Sequence, residues 1–205
     1  MKAITYINVH KVLVVPLVLG LMWFYDNWTV EAFIYLSLHG TYCLLWLLKG
    51  LTYPDQRFQS SLPARIGIIF IFLPLAAYYV APYLLISRRV LLPPYLVGII
   101  LCIFTVGMFL HYVGDAQKYY TLKLQKGLIE EGLYSRTRNP NYLGEILIYT
   151  SFALASLHWL PIAIVVALTL LFFVNSMTRK DRSLSRHPGF EAYRKRSGLL
   201  FPKLF

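Results

Sequence analysis

Residues 142–177 read YLGEILIYTSFALASLHWLPIAIVVALTLLFFVNSM, an apolar run too long for one membrane crossing, which takes about 20 residues. His158-Trp159-Leu160-Pro161 interrupts it. A proline cannot continue the hydrogen-bond ladder of a preceding helix, and aromatic residues suit a membrane–water interface. The run therefore predicts a helical hairpin, 142–157 and 161–177, with a tight turn between its arms. Four stretches upstream also have spanning length: 9–25, 30–51, 66–86 and 92–113. The hairpin brings the count to about six transmembrane helices.

The composition agrees with that reading. Of 205 residues 58% are hydrophobic and 14% charged, and the mean hydropathy is +0.56. That is more apolar surface than one soluble core can bury, so lipid is the expected solvent. No small-residue cleavage site follows the first apolar run, which is therefore expected to stay in the protein. The net charge of +11 would suggest nucleic acid in a soluble chain. Here the basic residues lie beside the spans, and anionic lipid headgroups are the expected partner, with no nucleic acid.

With six spans, the N-terminus, the second and fourth loops and the C-terminus share one side. Together with the adjoining helix ends they hold all of the 20 Lys and Arg residues except Arg88 and Arg89. The positive-inside rule places that side, and both termini, in the cytoplasm. Cys43 and Cys102 sit inside apolar segments with no metal-ligand spacing around them and read as small buried hydrophobes. GxGxxG, P-loop, HExxH and paired CxxC motifs are all missing, so neither a Rossmann domain nor a protein-held metal is expected.

Without internal repeats or a linker, residues 1–205 read as one membrane domain capped by two polar stretches, 115–141 and 178–205. Residues 115–126 predict a short helix carrying Lys118, Lys123 and Lys126, broken by Gly127 and Gly132.

The informative segment is Gly132-Leu133-Tyr134-Ser135-Arg136-Thr137-Arg138-Asn139-Pro140-Asn141-Tyr142-Leu143-Gly144-Glu145. Pro140 suits the first turn of a helix and Asn139 its N-cap, so free backbone amides would face Arg136 and Arg138, an arrangement suited to phosphate or carboxylate. Glu145 then enters an apolar helix. An ionisable group at that depth is a functional candidate by default. On the second span His39, Tyr42 and Trp46 share one helical face, with Lys49 one turn on, and a Tyr hydroxyl there can serve as a general acid.

The run Arg138-Asn139-Pro140-Asn141-Tyr142-Leu143-Gly144-Glu145 resembles the Arg-His-Pro-x-Tyr-x-Gly signature shared by two related groups of membrane enzymes. One comprises the isoprenylcysteine carboxyl and phospholipid methyltransferases, which use S-adenosylmethionine. The other is the steroid 5α-reductase and sterol reductase superfamily, which uses NADPH. Asn before the Tyr, an acid after the Gly, Ala153-Leu154-Ala155-Ser156 and the ending from Phe190-Glu191-Ala192-Tyr193 to Phe201-Pro202-Lys203-Leu204-Phe205 are similar to the reductases. Asn139 in place of His, His111 in place of Asn, and Met177-Thr178-Arg179-Lys180-Asp181-Arg182 in place of a His-His-x-x-Tyr pattern depart from them.

The resemblance implies that residues 1–110 frame a substrate cavity and that 111–205 form a cofactor-binding half. It implies cofactor contacts at Asp115, Arg138, Asn141, Tyr142, Glu145, Arg179 and Lys180, and a catalytic part for Glu145 and Tyr42. The expected reaction is NADPH-dependent reduction of a carbon–carbon double bond in a lipophilic, sterol-like or enone substrate. The alternative is methyl transfer from S-adenosylmethionine. A third expectation, a lipid-binding scaffold without catalysis, predicts that Glu145→Gln leaves function intact.

Overall fold

Helices joined by short turns make up the chain in this computed structural model, which describes residues 1–203; Leu204 and Phe205, the end of the family-like tail, lie outside the described residues. Helix α1 spans Ala3–Phe24, α2 Val30–Thr52, α3 Ala64–Ser87, α4 Pro94–Leu124, α5 Pro140–Ala155, α6 Trp159–Leu184 and α7 Phe190–Arg196. Five of them, α1, α2, α3, α4 and α6, are long and apolar enough to cross a membrane. The predicted hairpin is α5 and α6. Its first arm, at 16 residues, is the short one, so the expected six comprise five full-length helices and α5.

Helix α6 runs past residue 177 to Leu184, into the stretch expected as a polar tail, and two further helix limits differ from expectation for physical reasons. Helix α1 starts at Ala3, two turns before residue 9. The chain end is tied to the segment ahead of α3 by Ala3 N donating to Ser60 O (3.0 Å) and Leu62 N to Met1 O (2.9 Å). Within the added turns the Asn8 side chain accepts from Trp46 Nε1 at 3.2 Å. Residues 115–124 form no separate helix but continue α4 without a break. The chain leaves the helix after Leu124 and turns at Gly127 and Gly132, both with positive φ.

The chain divides into two compact units. The first holds 1–104 and 149–165; the second holds 105–148 and the chain from residue 166 on. In the first, α1 buries Tyr6, His10, Lys11, Val14, Val18 and Met22, and α2 buries Tyr35, His39, Tyr42, Trp46 and Lys49, each set at helical spacing along one face. Leu19, Trp23, Phe33, Ile69 and Phe70 point outward. Ionisable side chains lie within and large apolar ones without, the distribution that lipid favours over water. Cys43 is buried as expected, whereas Cys102 is exposed on the apolar outer surface, a correction that follows from its place on the outer face of α4.

Candidate functional site

In the second unit the family-like run is held by a close crossing of α4 and α5. A side chain on Gly144 would strike the His111 backbone and the Gly107 carbonyl, and one on Gly107 would meet the Gly144 carbonyl at 2.8 Å. Small residues at both positions let the two backbones touch, the usual device for tight helix pairs in lipid. The crossing brings the polar face of α4 onto the first turn of α5. Asn141 Nδ2 donates to Asp115 Oδ1 at 2.8 Å, and His111 Nδ1 lies 3.2 Å from the Asn141 carbonyl. Asp115 and Asn141 are 8% and 9% exposed. The Asn141 side-chain oxygen is buried and has no hydrogen-bond partner, so an acceptor is left open at the centre of the cluster.

Arg138 lies beside this cluster in a different arrangement from a free phosphate ligand. Its Nε and Nη2 both reach the Asp181 carboxylate, the shortest contact being 2.8 Å, and Nη1 donates to Ser197 O at 2.6 Å. At 5% exposure it joins three segments: the loop before α5, the end of α6 and the residue after α7. Lys180 donates to the Arg138 carbonyl (2.6 Å) and to Asn139 Oδ1 (3.1 Å). The Asn139 side chain is thus taken up by Lys180 and, through Nδ2, by Leu199 O at 2.8 Å, while α5 begins at Pro140 as expected.

The tail closes over the loop by further main-chain and side-chain contacts. Thr137 Oγ1 donates to Leu200 O (2.8 Å), and Arg138 N to Gly198 O (2.9 Å). Tyr193 Oη donates to Tyr134 O at 2.8 Å. Burial pushes the Tyr193 hydroxyl up to about 12, so it remains a donor across the ordinary pH range. Beneath the tail is a cavity of about 50 Å³ whose lining combines the cationic Lys118, Arg138 and Lys180 with Tyr134, Leu184 and Tyr193.

Of the remaining expected residues, Tyr142 is buried and packs on Phe173 (ring centroids 5.2 Å apart), Glu145 is half-buried one turn further along α5, and Arg179 is exposed. The structure therefore gathers Asp115 with Asn141, and Arg138 with Lys180. Among the described residues no three His, Cys, Asp or Glu side chains come close enough together to hold a metal ion.

Tyr42 belongs to the first unit. Its ring lies under the Lys11 ammonium, 3.9 Å from the ring centroid, and edge-on to Tyr149. Lys11 Nζ donates to Tyr149 Oη at 3.1 Å, and both residues are at most 2% exposed. The sequence alone gave neither Lys11 nor Tyr149 a part. The signal for Lys11 was its register: it shares with Val14 and Val18 the spacing of the buried stripe of α1.

Comparison with curated proteins and comparison with solved structures each gave no match. A family model matches residues 52–197, which run from the end of α2 through the whole Asp115–Asn141 cluster and the Arg138 network, and the chain belongs to that family, described as protein of unknown function, DUF1295.

Proposed function

We propose that this protein is a membrane-embedded reductase that uses NADPH to saturate a carbon–carbon double bond in a lipophilic, sterol-like or enone substrate. The observation that carries the reading is the Asp115–Asn141 pair, with its open carboxamide oxygen. A buried acceptor without a donor costs about 1–3 kcal/mol, a cost removed when a ligand N–H arrives. The carboxamide of a nicotinamide ring is a donor of that kind. Asn141 sits in the run that resembles the sterol reductase signature, and that resemblance selects the dinucleotide among possible N–H donors.

Arg179, Lys118 and Lys180 supply positive charge on the same unit, which suits the phosphates of NADPH. In this reading Arg138 is a positioning residue: it holds Lys180 and the tail in place. Glu145, one turn beyond Asn141, faces the same ligand. NADPH, when bound, supplies the hydride for the β carbon of the substrate. The protein orients the ring, keeps water from it and stabilises the enolate that forms.

The test is NADPH titration of the purified protein in detergent, wild type against Asn141→Leu. The variant keeps the branched shape of the side chain but removes both the open acceptor and the Nδ2 donor to Asp115. The reading predicts saturable binding that weakens at least about tenfold in the variant, the loss expected for one buried hydrogen bond, in a protein that still folds but melts somewhat lower because Asp115 loses its donor. Equal binding by both proteins would remove Asn141 from the site and the reading with it.

A further inference from the structure

The last two turns of α6 have two opposite faces. Met177, Lys180, Asp181 and Leu184, at helical spacing, form the inner one. Met177 is buried, Lys180 donates to the Arg138 carbonyl and to Asn139 Oδ1, and Asp181 takes the Arg138 guanidinium. This face therefore grips the loop that leads into α5. Arg179, Arg182 and Arg186 repeat the same spacing on the other side of the helix and are exposed. Among the described residues none of the three has a carboxylate partner: Asp181 is paired with Arg138, Glu130 with Arg196, and Glu191 lies 3.9 Å from Arg194.

Position along the helix decides what meets the outer face. A crossing takes about 20 residues, and counted from Trp159, the first residue of α6, it ends near residue 178. Arg182 thus falls in the headgroup layer, about 5–7 Å deep beyond the hydrocarbon. Arg186 is one turn further on, but its guanidinium folds back. Nε and Nη2 donate to Ser183 O (3.4 Å) and Ser183 Oγ (3.0 Å), which turns the group toward the membrane and leaves Nη1 for an outside partner. Arg179, at the edge of the stripe nearest Lys180, stays with the nucleotide phosphates. Exposed guanidinium groups at this depth with no carboxylate beside them suit lipid phosphate, and an anionic headgroup keeps a net negative charge that a zwitterionic one lacks.

We propose that Arg182 and Arg186 form a docking site for the headgroup of an anionic phospholipid, and that the docked lipid holds the tail closed over the Arg138 loop. The coupling runs through two turns of one helix. Lipid on the outer face fixes the segment whose inner face carries Lys180 and Asp181. Arg138, held by Asp181, donates to Ser197 O through its side chain and to Gly198 O through its main chain. From there Leu199 and Leu200 accept from the Asn139 and Thr137 side chains, so the tail is fastened residue by residue to the loop that α6 grips. Gly189, with a φ of +85°, makes the turn between α6 and α7. The docking does not depend on the nucleotide, and it makes closure of the second unit sensitive to membrane composition.

The experiment uses the full-length protein, a single copy per lipid nanodisc and without nucleotide, in phosphatidylcholine alone or with phosphatidylglycerol added. Hydrogen–deuterium exchange of the 197–203 amides reports how often the tail lifts; Gly198 N and Lys203 N, which both donate to Arg136 O, are among them. Phosphatidylglycerol should slow that exchange at least about fivefold, the factor for one arginine beside an anionic surface. Arg182→Gln/Arg186→Gln should abolish the slowing and should exchange like wild type in phosphatidylcholine alone. Lys123→Gln/Lys126→Gln, which removes the same charge from the end of α4 and the loop after it, should keep the slowing. Equal exchange in the two lipids, a slowing that the arginine variant retains or the lysine variant loses, or an equal slowing by inorganic phosphate in phosphatidylcholine discs would overturn the proposal. So would faster exchange of the arginine variant in phosphatidylcholine alone, since the two side chains would then hold the tail without lipid.

Discussion

Arg138 and Asn141 stand three residues apart and do opposite things. The Arg138 guanidinium is answered by Asp181 and Ser197, so removing it leaves the Asp181 carboxylate without its cation and frees the tail from the loop. Arg138→Ala should cost about 3–5 kcal/mol, the loss typical of breaking a buried ion pair, read as a lower melting temperature in detergent. Asp181→Asn should give a smaller loss of the same sign. Asn141→Leu, by contrast, takes one neutral donor from Asp115, so it should lower the melting temperature by less than Arg138→Ala and act chiefly on ligand binding. A stable Arg138→Ala protein would show that the Arg138–Asp181 pair contributes little. Both residues were legible in the sequence as a motif. Their partners were not, because Asp181 and Ser197 come from parts of the chain that no local spacing connects to residue 138. Lys11 was passed over for a related reason: hydropathy begins the span at residue 9, whereas the helix starts at Ala3, with Met1 and Ala3 tied to residues 62 and 60, and Lys11 lies well inside it and buried.

The hairpin of α5 and α6 was predicted from one proline and the aromatic residues before it, and α6 does begin at Trp159, beside Pro161. The length of α4 was not, since the polarity of residues 115–124 reads as a surface helix when it is in fact the continuation of a span, anchored by contacts to α5 and the loop. The crossing of α4 and α5 is where the element scale governs the site. Gly144→Ala should force the helices apart, because the new carbon meets backbone on α4 that cannot swing away. The expected cost is about 1–3 kcal/mol or more, with NADPH affinity lost in parallel as Asp115 and Asn141 separate. Gly98→Ala is the control. Nothing lies within 4 Å of a side chain at that position, so it should be neutral or stabilise by up to about 1 kcal/mol. Equal melting temperatures for the two variants would show that the crossing does not hold the cluster.

At the scale of the whole molecule, the composition and the apolar periodicity were enough to read an all-helical membrane architecture. Side-chain chemistry inside the units was beyond them, since hydropathy records how apolar a stretch is and not which face a histidine or lysine takes. The orientation proposed from the charge distribution makes its own prediction. After Cys43 and Cys102 are changed to Ser, a membrane-impermeant thiol reagent should reach Lys2→Cys and Lys195→Cys from one side and Arg88→Cys only from the other. Labelling of Lys2→Cys and Lys195→Cys from opposite sides would show an odd number of crossings and separate the N-terminus from the basic tail. The central claim, however, is the identity of the cofactor. It is tested most directly by the melting temperature of the wild-type protein in detergent with NADPH and, separately, with S-adenosylmethionine, because a ligand at about 100 times its dissociation constant stabilises the folded state by about 2.7 kcal/mol. A rise with NADPH that Asn141→Leu cuts by about half or more, as a tenfold weaker affinity requires, and none with S-adenosylmethionine, is the result predicted here; a rise with S-adenosylmethionine alone would contradict the reductase reading and point to methyl transfer.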